Sequence, residues 1–236
     1  MASIFDATVH PYYPIDLEIA GYLANEWDTL TLVSIFATGC TAIFLVTYLL
    51  VIKVQPKIPS SDLWTIMWFV LCGCIHLFFE GYFAYNFRRM PSMQDLFGQL
   101  WKEYSLSDSR YQTQDAFVLC METITAICWG PLSFMLAVMI MIQHPLRYPL
   151  QAIVSLGQLY GDVLYYATCM FDHYILDLSY SRPEASIFWG YFVFCNAFWI
   201  VIPLVLLYNS LSVSKKAFIA LSAAEGKDVP KTAKKE

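Results

Sequence analysis

Apolar residues in this 236-residue chain gather into long runs separated by short polar connections. Five of them, residues 30–52, 63–87, 116–142, 150–170 and 187–208, reach about 20 residues, the length a helix needs to cross hydrocarbon. Backbone polar groups cannot go unpaired in lipid, so each run is expected to be a helix. The pattern predicts an all-α, polytopic membrane protein with five transmembrane helices. Residues 1–29 form an N-terminal segment, 30–210 a single membrane domain and 211–236 a basic tail that reads as solvated from about Lys215. Only the connection over residues 88–115 is long. It sets Trp101, Tyr104 and Tyr111 among charges, a mixture suited to the lipid–water interface, and is expected either to cap a cavity between helices or to form a short interfacial helix.

Composition agrees with the pattern. Hydrophobic residues make up 58% and charged residues 14% of the chain, against about a quarter charged in soluble domains. The first residues, MASIFDATVHPYYPID, lack the basic start and apolar core of a cleavable signal, so the first helix is expected to direct membrane insertion. Seven cysteines sit in or beside apolar runs without paired spacing, which argues against a disulfide framework.

The net charge of −5 hides an asymmetry. Asp6, Asp16, Glu18, Glu26 and Asp28 precede the first helix, whereas Lys215, Lys216, Lys227, Lys231, Lys234 and Lys235 follow the last. Positive charge collects on the cytoplasmic side, which predicts a lumenal N-terminus and a cytosolic C-terminus. The long loop, with Arg88, Arg89, Lys102 and Arg110, runs against this trend. The last three residues, Lys234-Lys235-Glu236, resemble a dilysine retrieval signal displaced by one position, and the expected location is the endoplasmic reticulum membrane.

The informative residues are ionisable groups inside the apolar runs. His76 and Glu80 lie in the second run, Glu122 in the third and Asp162 in the fourth. A charged side chain at the bilayer centre costs at least about 2.5 kcal/mol, so such groups face a partner or a cavity. His76 and Glu80, four apart, share one helical face. Thr125 lies near Glu122 on its helix, and Asn196 and Trp199 stand three apart on the fifth. A lone buried pair needs no function; a converging set of carboxyls, imidazole, amide, hydroxyl and indole suggests a site. A carboxyl kept in an apolar setting holds its proton and can act as an acid, while one beside an imidazole can act as a base. An indole face can stabilise a carbocation by about 2 kcal/mol or more when desolvated. Asp162 follows Gly157 and Gly161, a spacing that permits close helix approach, and fits either a structural hydrogen bond or a cavity contact.

Other chemistries fit poorly. Four histidines (His10, His76, His144 and His173) are too few for a multi-histidine di-iron site, and His76 with Glu80 alone makes a weak metal site. No lysine lies in a helix core, and no phosphate loop or dinucleotide fingerprint occurs. A cofactor-free reaction is the simplest expectation, with no metal and no nucleic-acid partner. A proton-coupled transporter could also use intramembrane carboxyls, but no internal repeat or pair of broken helices is evident.

The stretches HPYYP, CGCIHLFFEGYF, LWKEYSLSDSRY, CMETITAICWGPLS, QHPLRY, GQLYGDVLYY and YFVFCNAFW together resemble the emopamil-binding protein family of sterol delta-8, delta-7 isomerases. Apart from the first, they cover most of residues 68–203. The resemblance implies five membrane helices enclosing a sterol cavity that opens toward the bilayer, and a homodimer. It implies protonation of the sterol at carbon 9, a carbocation near carbon 8 and loss of a proton from carbon 7. His76, Glu80, Glu122, Thr125, Asn196 and Trp199 stand at the family's motif positions. On this reading Glu122, paired with His76, delivers the proton and Glu80 receives one, although the carboxyls could exchange parts. Asn196 and Trp199 stabilise the cation, Thr125 orients a carboxyl, and Tyr104, Tyr111 and Asp162 contact substrate. The resemblance also implies binding of cationic amphiphiles, whose ammonium mimics the carbocation. Some members of the superfamily bind sterols or amines with no known isomerase activity, so a non-catalytic binding protein is the rival reading.

Overall fold

The computed structural model describes residues 10–226; Asp6 and the lysines at 227, 231, 234 and 235 lie outside them. Among the described residues there is no strand. Six helices carry the architecture: α1 (Thr29–Val54), α2 (Ser60–Asn86), α3 (Leu96–Tyr104), α4 (Ala116–Met141), α5 (Arg147–Ile175) and α6 (Ala185–Ala224). Aspartates begin three of them. Asp28 accepts from the Thr31 amide at 3.0 Å, Asp95 from Gly98 at 3.1 Å and Asp115 from Val118 at 2.8 Å. Each cap satisfies a backbone donor that the first turn leaves unpaired.

Helices α1, α2, α4 and α6 are long and apolar enough to cross a membrane. α1 is apolar nearly all round and buries Leu32, Thr47 and Val51 against the rest, so its other faces suit contact with lipid. The fourth expected run lies in α5, a 29-residue helix that is less apolar than the others. Its length is ample, about 44 Å at 1.5 Å per residue. Its buried face is polar: Gln151, Ser155, Gln158 and Asp162 all point inward. A helix that supplies polar groups to a bundle interior loses mean hydropathy for that reason.

One core joins α1, α2, α4, α5 and α6 through Val51, Phe69, Cys72, Leu136, Val154 and Leu206. At one end of the bundle, Arg147 on α5 pairs with Asp62 on α2 at 2.8 Å, and Gln143 also donates to that carboxylate. The expected close approach at Gly157 and Gly161 holds for the first alone. A Cβ on Gly157 would fall 2.3 Å from the Trp129 ring, whereas Gly161 has nothing within 4 Å.

The loop of residues 88–115 is neither a simple lid nor an exposed interfacial helix. It contains α3 and a 3₁₀ turn (Ser109–Gln112), and buries Gln99, Lys102, Glu103, Asp108, Arg110 and Gln112. The N-terminal segment docks on it. Tyr12 donates to the Lys102 carbonyl at 3.0 Å, Ser109 to the Tyr13 carbonyl at 2.5 Å, and the Gln99 side chain accepts from the amides of Glu26 and Trp27. Residues 176–184 close the other side, where the Arg182 amide donates to Leu106 and the Ser109 amide to Tyr180. Together these segments form a hydrogen-bonded cap. α6 continues through Lys215 and Lys216 to Ala224, so the basic tail begins as exposed helix rather than solvated coil.

Two outcomes test this packing. Gly157→Ala should destabilise the protein by about 1–3 kcal/mol through the Trp129 clash, with Gly161→Ala tolerated. Equal effects in thermal unfolding of the two variants would refute the asymmetry. Lys102 donates to neutral oxygens, Leu23 O and Gln94 Oε1, each at 2.7 Å, and burial pushes its pKa down to about 8. Between about 8 and the ordinary value of 10.5 the unfolded chain binds more protons, so stability should rise with pH across that window. The slope should vanish in Lys102→Met.

Candidate active site

Three of the long helices contain π-helical stretches, and each adjoins an expected site residue. Ile75–Glu80 of α2 carries His76 and Glu80, Thr125–Trp129 of α4 begins three residues after Glu122, and Phe188–Cys195 of α6 ends at Asn196. The first two stretches pack against each other. Such wide turns insert an extra residue into the helix and occur frequently at functional sites.

His76 is 2% exposed and Glu80 13%. The imidazole Nδ1 lies 2.9 and 2.8 Å from the two Glu80 carboxylate oxygens. His76, expected to pair with Glu122, is therefore engaged by Glu80, because the i,i+4 spacing puts both on one face. Glu122 instead accepts from the Tyr111 hydroxyl at 2.7 Å on Oε1. The His76–Glu80 pair on α2 and Glu122 on α4 thus lie on two helices whose π-helical stretches pack together.

Tyr111 is held by its ring. It stacks on Trp101 with centroids 4.8 Å apart and meets the edges of Phe83 at 5.0 Å and Tyr104 at 5.5 Å. Trp101 is fixed in turn by donating to the Phe79 carbonyl at 3.0 Å. Burial and the facing Glu122 raise the Tyr111 pKa well above that of an ordinary phenol, so it stays a donor. Tyr104 is shifted upward by burial as well, and its oxygen lies 2.9 Å from the Asn196 amide nitrogen. The cap thus carries a line of contacts from Asn196 through Tyr104 and Tyr111 to Glu122.

Beneath this line lies a buried ion pair. Arg110 binds Asp108 through Nε and Nη2, the latter at 2.7 Å, and Nη1 donates to Thr168 at 2.9 Å. Its guanidinium lies over the Tyr165 and Tyr180 rings at 5.1 and 5.2 Å. Burial opposes the charge, but the attraction of Asp108 outweighs it and raises the Arg110 pKa overall.

Trp199 approaches the His76 ring at 6.1 Å and the Trp68 ring at 5.5 Å, and its Nε1 is buried without a protein partner. Asp162 is buried with Oδ2 likewise unpartnered, and no hydrogen bond joins it to the cluster among the described residues. Thr125, expected to orient a carboxyl, donates instead to the Met121 carbonyl of its own helix at 2.6 Å. Among the described residues no three His, Cys, Asp or Glu side chains are grouped to hold a metal ion. A cleft of about 440 Å³ near Tyr13, Cys169, His173 and Phe192 does not touch His76, Glu80, Glu122 or Trp199.

The profile of the EBP family, described as EXPERA (EXPanded EBP superfamily), matches residues 96–210. The chain is 36% identical to a 3-beta-hydroxysteroid-Delta(8),Delta(7)-isomerase of Cavia porcellus, over 89% of this chain and 91% of the relative. Identity to the Mus musculus protein of the same name is 38%, over 86% and 87%. A probable isomerase of that name from Oryza sativa subsp. japonica is 30% identical, over 85% and 90%. The chain belongs to the EBP family.

Sequence reasoning missed one contact at the centre of this cluster. Gln158 on α5 places Nε2 3.0 Å from His76 Nε2. The recurrence of Gln151, Ser155, Gln158 and Asp162 at helical spacing inside an apolar run was the available signal. The pairing of Asp108 with Arg110 was not singled out either; Arg110 had entered only as one of the loop's positive charges.

Tyr111→Phe keeps the ring stack and removes the donor to Glu122. It should destabilise the protein by about 1–3 kcal/mol, the cost of leaving a buried acceptor unpaired. Wild-type stability in denaturant unfolding would show that the bond carries no weight.

Proposed function

We propose that this protein is a sterol delta-8 to delta-7 isomerase acting by proton transfer through a carbocation. The observation that carries the reading is the difference between the two carboxyls. Glu80 accepts from the His76 imidazole, and Glu122 accepts from the Tyr111 phenol on one oxygen, leaving the other to carry a proton.

The chemistry balances without a cofactor. Glu122 gives its proton to carbon 9, the electrons of the double bond form the new C–H bond, and carbon 8 becomes cationic. Glu80 takes a proton from carbon 7, and the electrons of that C–H bond make the new double bond. Between turnovers Glu80 gives its proton to water and Glu122 regains one from water, which resets the site. Trp199 faces the cation with its ring, a contact worth about 2 kcal/mol or more in a dry site. Asn196 fixes Tyr104 and through it the aromatic stack, and Thr125 and Asp162 line the substrate site.

α5 is the fifth membrane span, and α2, α4, α5 and α6 enclose the sterol cavity. The N-terminus and cap lie on the lumenal side of the endoplasmic reticulum, the C-terminus in the cytosol, and the protein is a homodimer. Cationic amphiphiles occupy the same site because a protonated amine presents the charge of the intermediate.

The test is conversion of a delta-8 sterol such as zymosterol by purified protein in deuterated water. Delta-7 product with deuterium at carbon 9 is expected, and Glu80→Gln should lower turnover at least about 10²-fold while the protein stays folded. Substantial turnover by Glu80→Gln would reject its role as the base. Failure of the wild type to convert sterol, with tight binding of a cationic amphiphile, would favour a binding protein instead.

A further inference from the structure

His76 has two ring nitrogens, and Glu80 accounts for one. The other, Nε2, lies 3.0 Å from Nε2 of Gln158, with both side chains buried. An amide nitrogen can only donate, so in this arrangement His76 Nε2 must accept. A neutral imidazole that accepts at Nε2 carries its proton on Nδ1, the nitrogen facing the Glu80 oxygens at 2.9 and 2.8 Å. The ring is therefore oriented from both sides, by helices far apart in sequence.

We infer that Gln158 is a positioning residue of the isomerase: its amide holds the His76 proton on Nδ1, so that the imidazole donates to Glu80 and keeps that carboxyl ready to accept a proton. The inference rests on the isomerase reading for its kinetic consequence but not for its structural content. The groups in contact with the ring are Glu80 on its own helix, Trp199 on α6 and Gln158 on α5. Of these Gln158 alone bonds Nε2 in the structure. With the amide removed, the ring can move its proton to Nε2 and turn a bare nitrogen toward Glu80, replacing a hydrogen bond by lone-pair repulsion. Gln158 also borders Cys72, while its Oε1 has no protein partner.

Gln158→Met retains the length of the side chain and removes its donor. The variant should lose about 10² or more in kcat, the scale on which a wrongly placed imidazole proton slows catalysis, with KM for the delta-8 sterol changed less than about threefold. ¹⁵N-histidine spectra of the protein in nanodiscs should show an unprotonated Nε2 for His76 in the wild type, assigned by its loss in His76→Gln, and a tautomer mixture in Gln158→Met. Wild-type kcat in the variant, or loss of kcat with an equal rise in KM, would overturn the proposal. If the variant fails to fold, the wild-type spectrum decides, since a protonated Nε2 contradicts the assigned hydrogen bond. Absence of sterol conversion by the wild type would count against the isomerase reading; the nitrogen spectrum would still judge the role of Gln158.

Discussion

The hydrogen bond from Tyr111 to Glu122 joins two regions that satisfy their polar groups in opposite ways. In the bundle, polar side chains are few and some, Gln158 and Gln151 among them, reach partners on neighbouring helices, because hydrocarbon offers none. In the cap, polar side chains are many and bond mainly to backbone and to one another. A carboxyl at the boundary takes its donor from the cap, and the position of that donor depends on the whole aromatic stack behind it. Displacing the cap would leave Glu122 without this bond and loosen the geometry on which the two carboxyls depend.

That dependence explains why the cap is ordered so thoroughly. Lys102, Arg110 and Gln99 are residues that ordinarily face solvent, yet here they are buried. Arg110 is neutralised by Asp108 and covered by two aromatic faces, and Lys102 ends on carbonyl and amide oxygens. Removing one member of such a buried pair would leave the other charge uncompensated, so Arg110 and Asp108 depend on each other. The segment holding Tyr104 and Tyr111 is consequently a rigid support, although it is a connection by sequence position.

α5 plays the complementary part within the bundle. It surrenders apolar character on one face to present Gln151, Gln158 and Asp162, and packs along α6. Gln151 donates to the Leu206 carbonyl on α6 and Gln158 contacts His76 on α2, so one helix ties the two sides of the site together. The π-helical stretches in α2 and α4 meet at the same level. Their altered register and the polar face of α5 both depart from the ordinary pattern of membrane helices, and both occur beside His76 and Glu80.

Sequence alone determined the helical class and the rough placement of the long apolar helices, and it singled out the ionisable residues of the proposed site. Hydrophobic length and the cost of burying charge act locally enough to be read from a single chain. The proximity of His76 and Glu80 followed from a four-residue spacing on one helix. Partners drawn from different helices were not legible. Gln158 for His76 and Tyr111 for Glu122 both depend on how distant parts of the chain pack against one another, which carries no local sequence mark. The buried charges of the cap were equally hidden, because a polar loop and a polar core have the same composition. Only the tertiary structure decides which of them excludes water, since exclusion requires the N-terminal segment and residues 176–184 to close over the loop from distant parts of the chain.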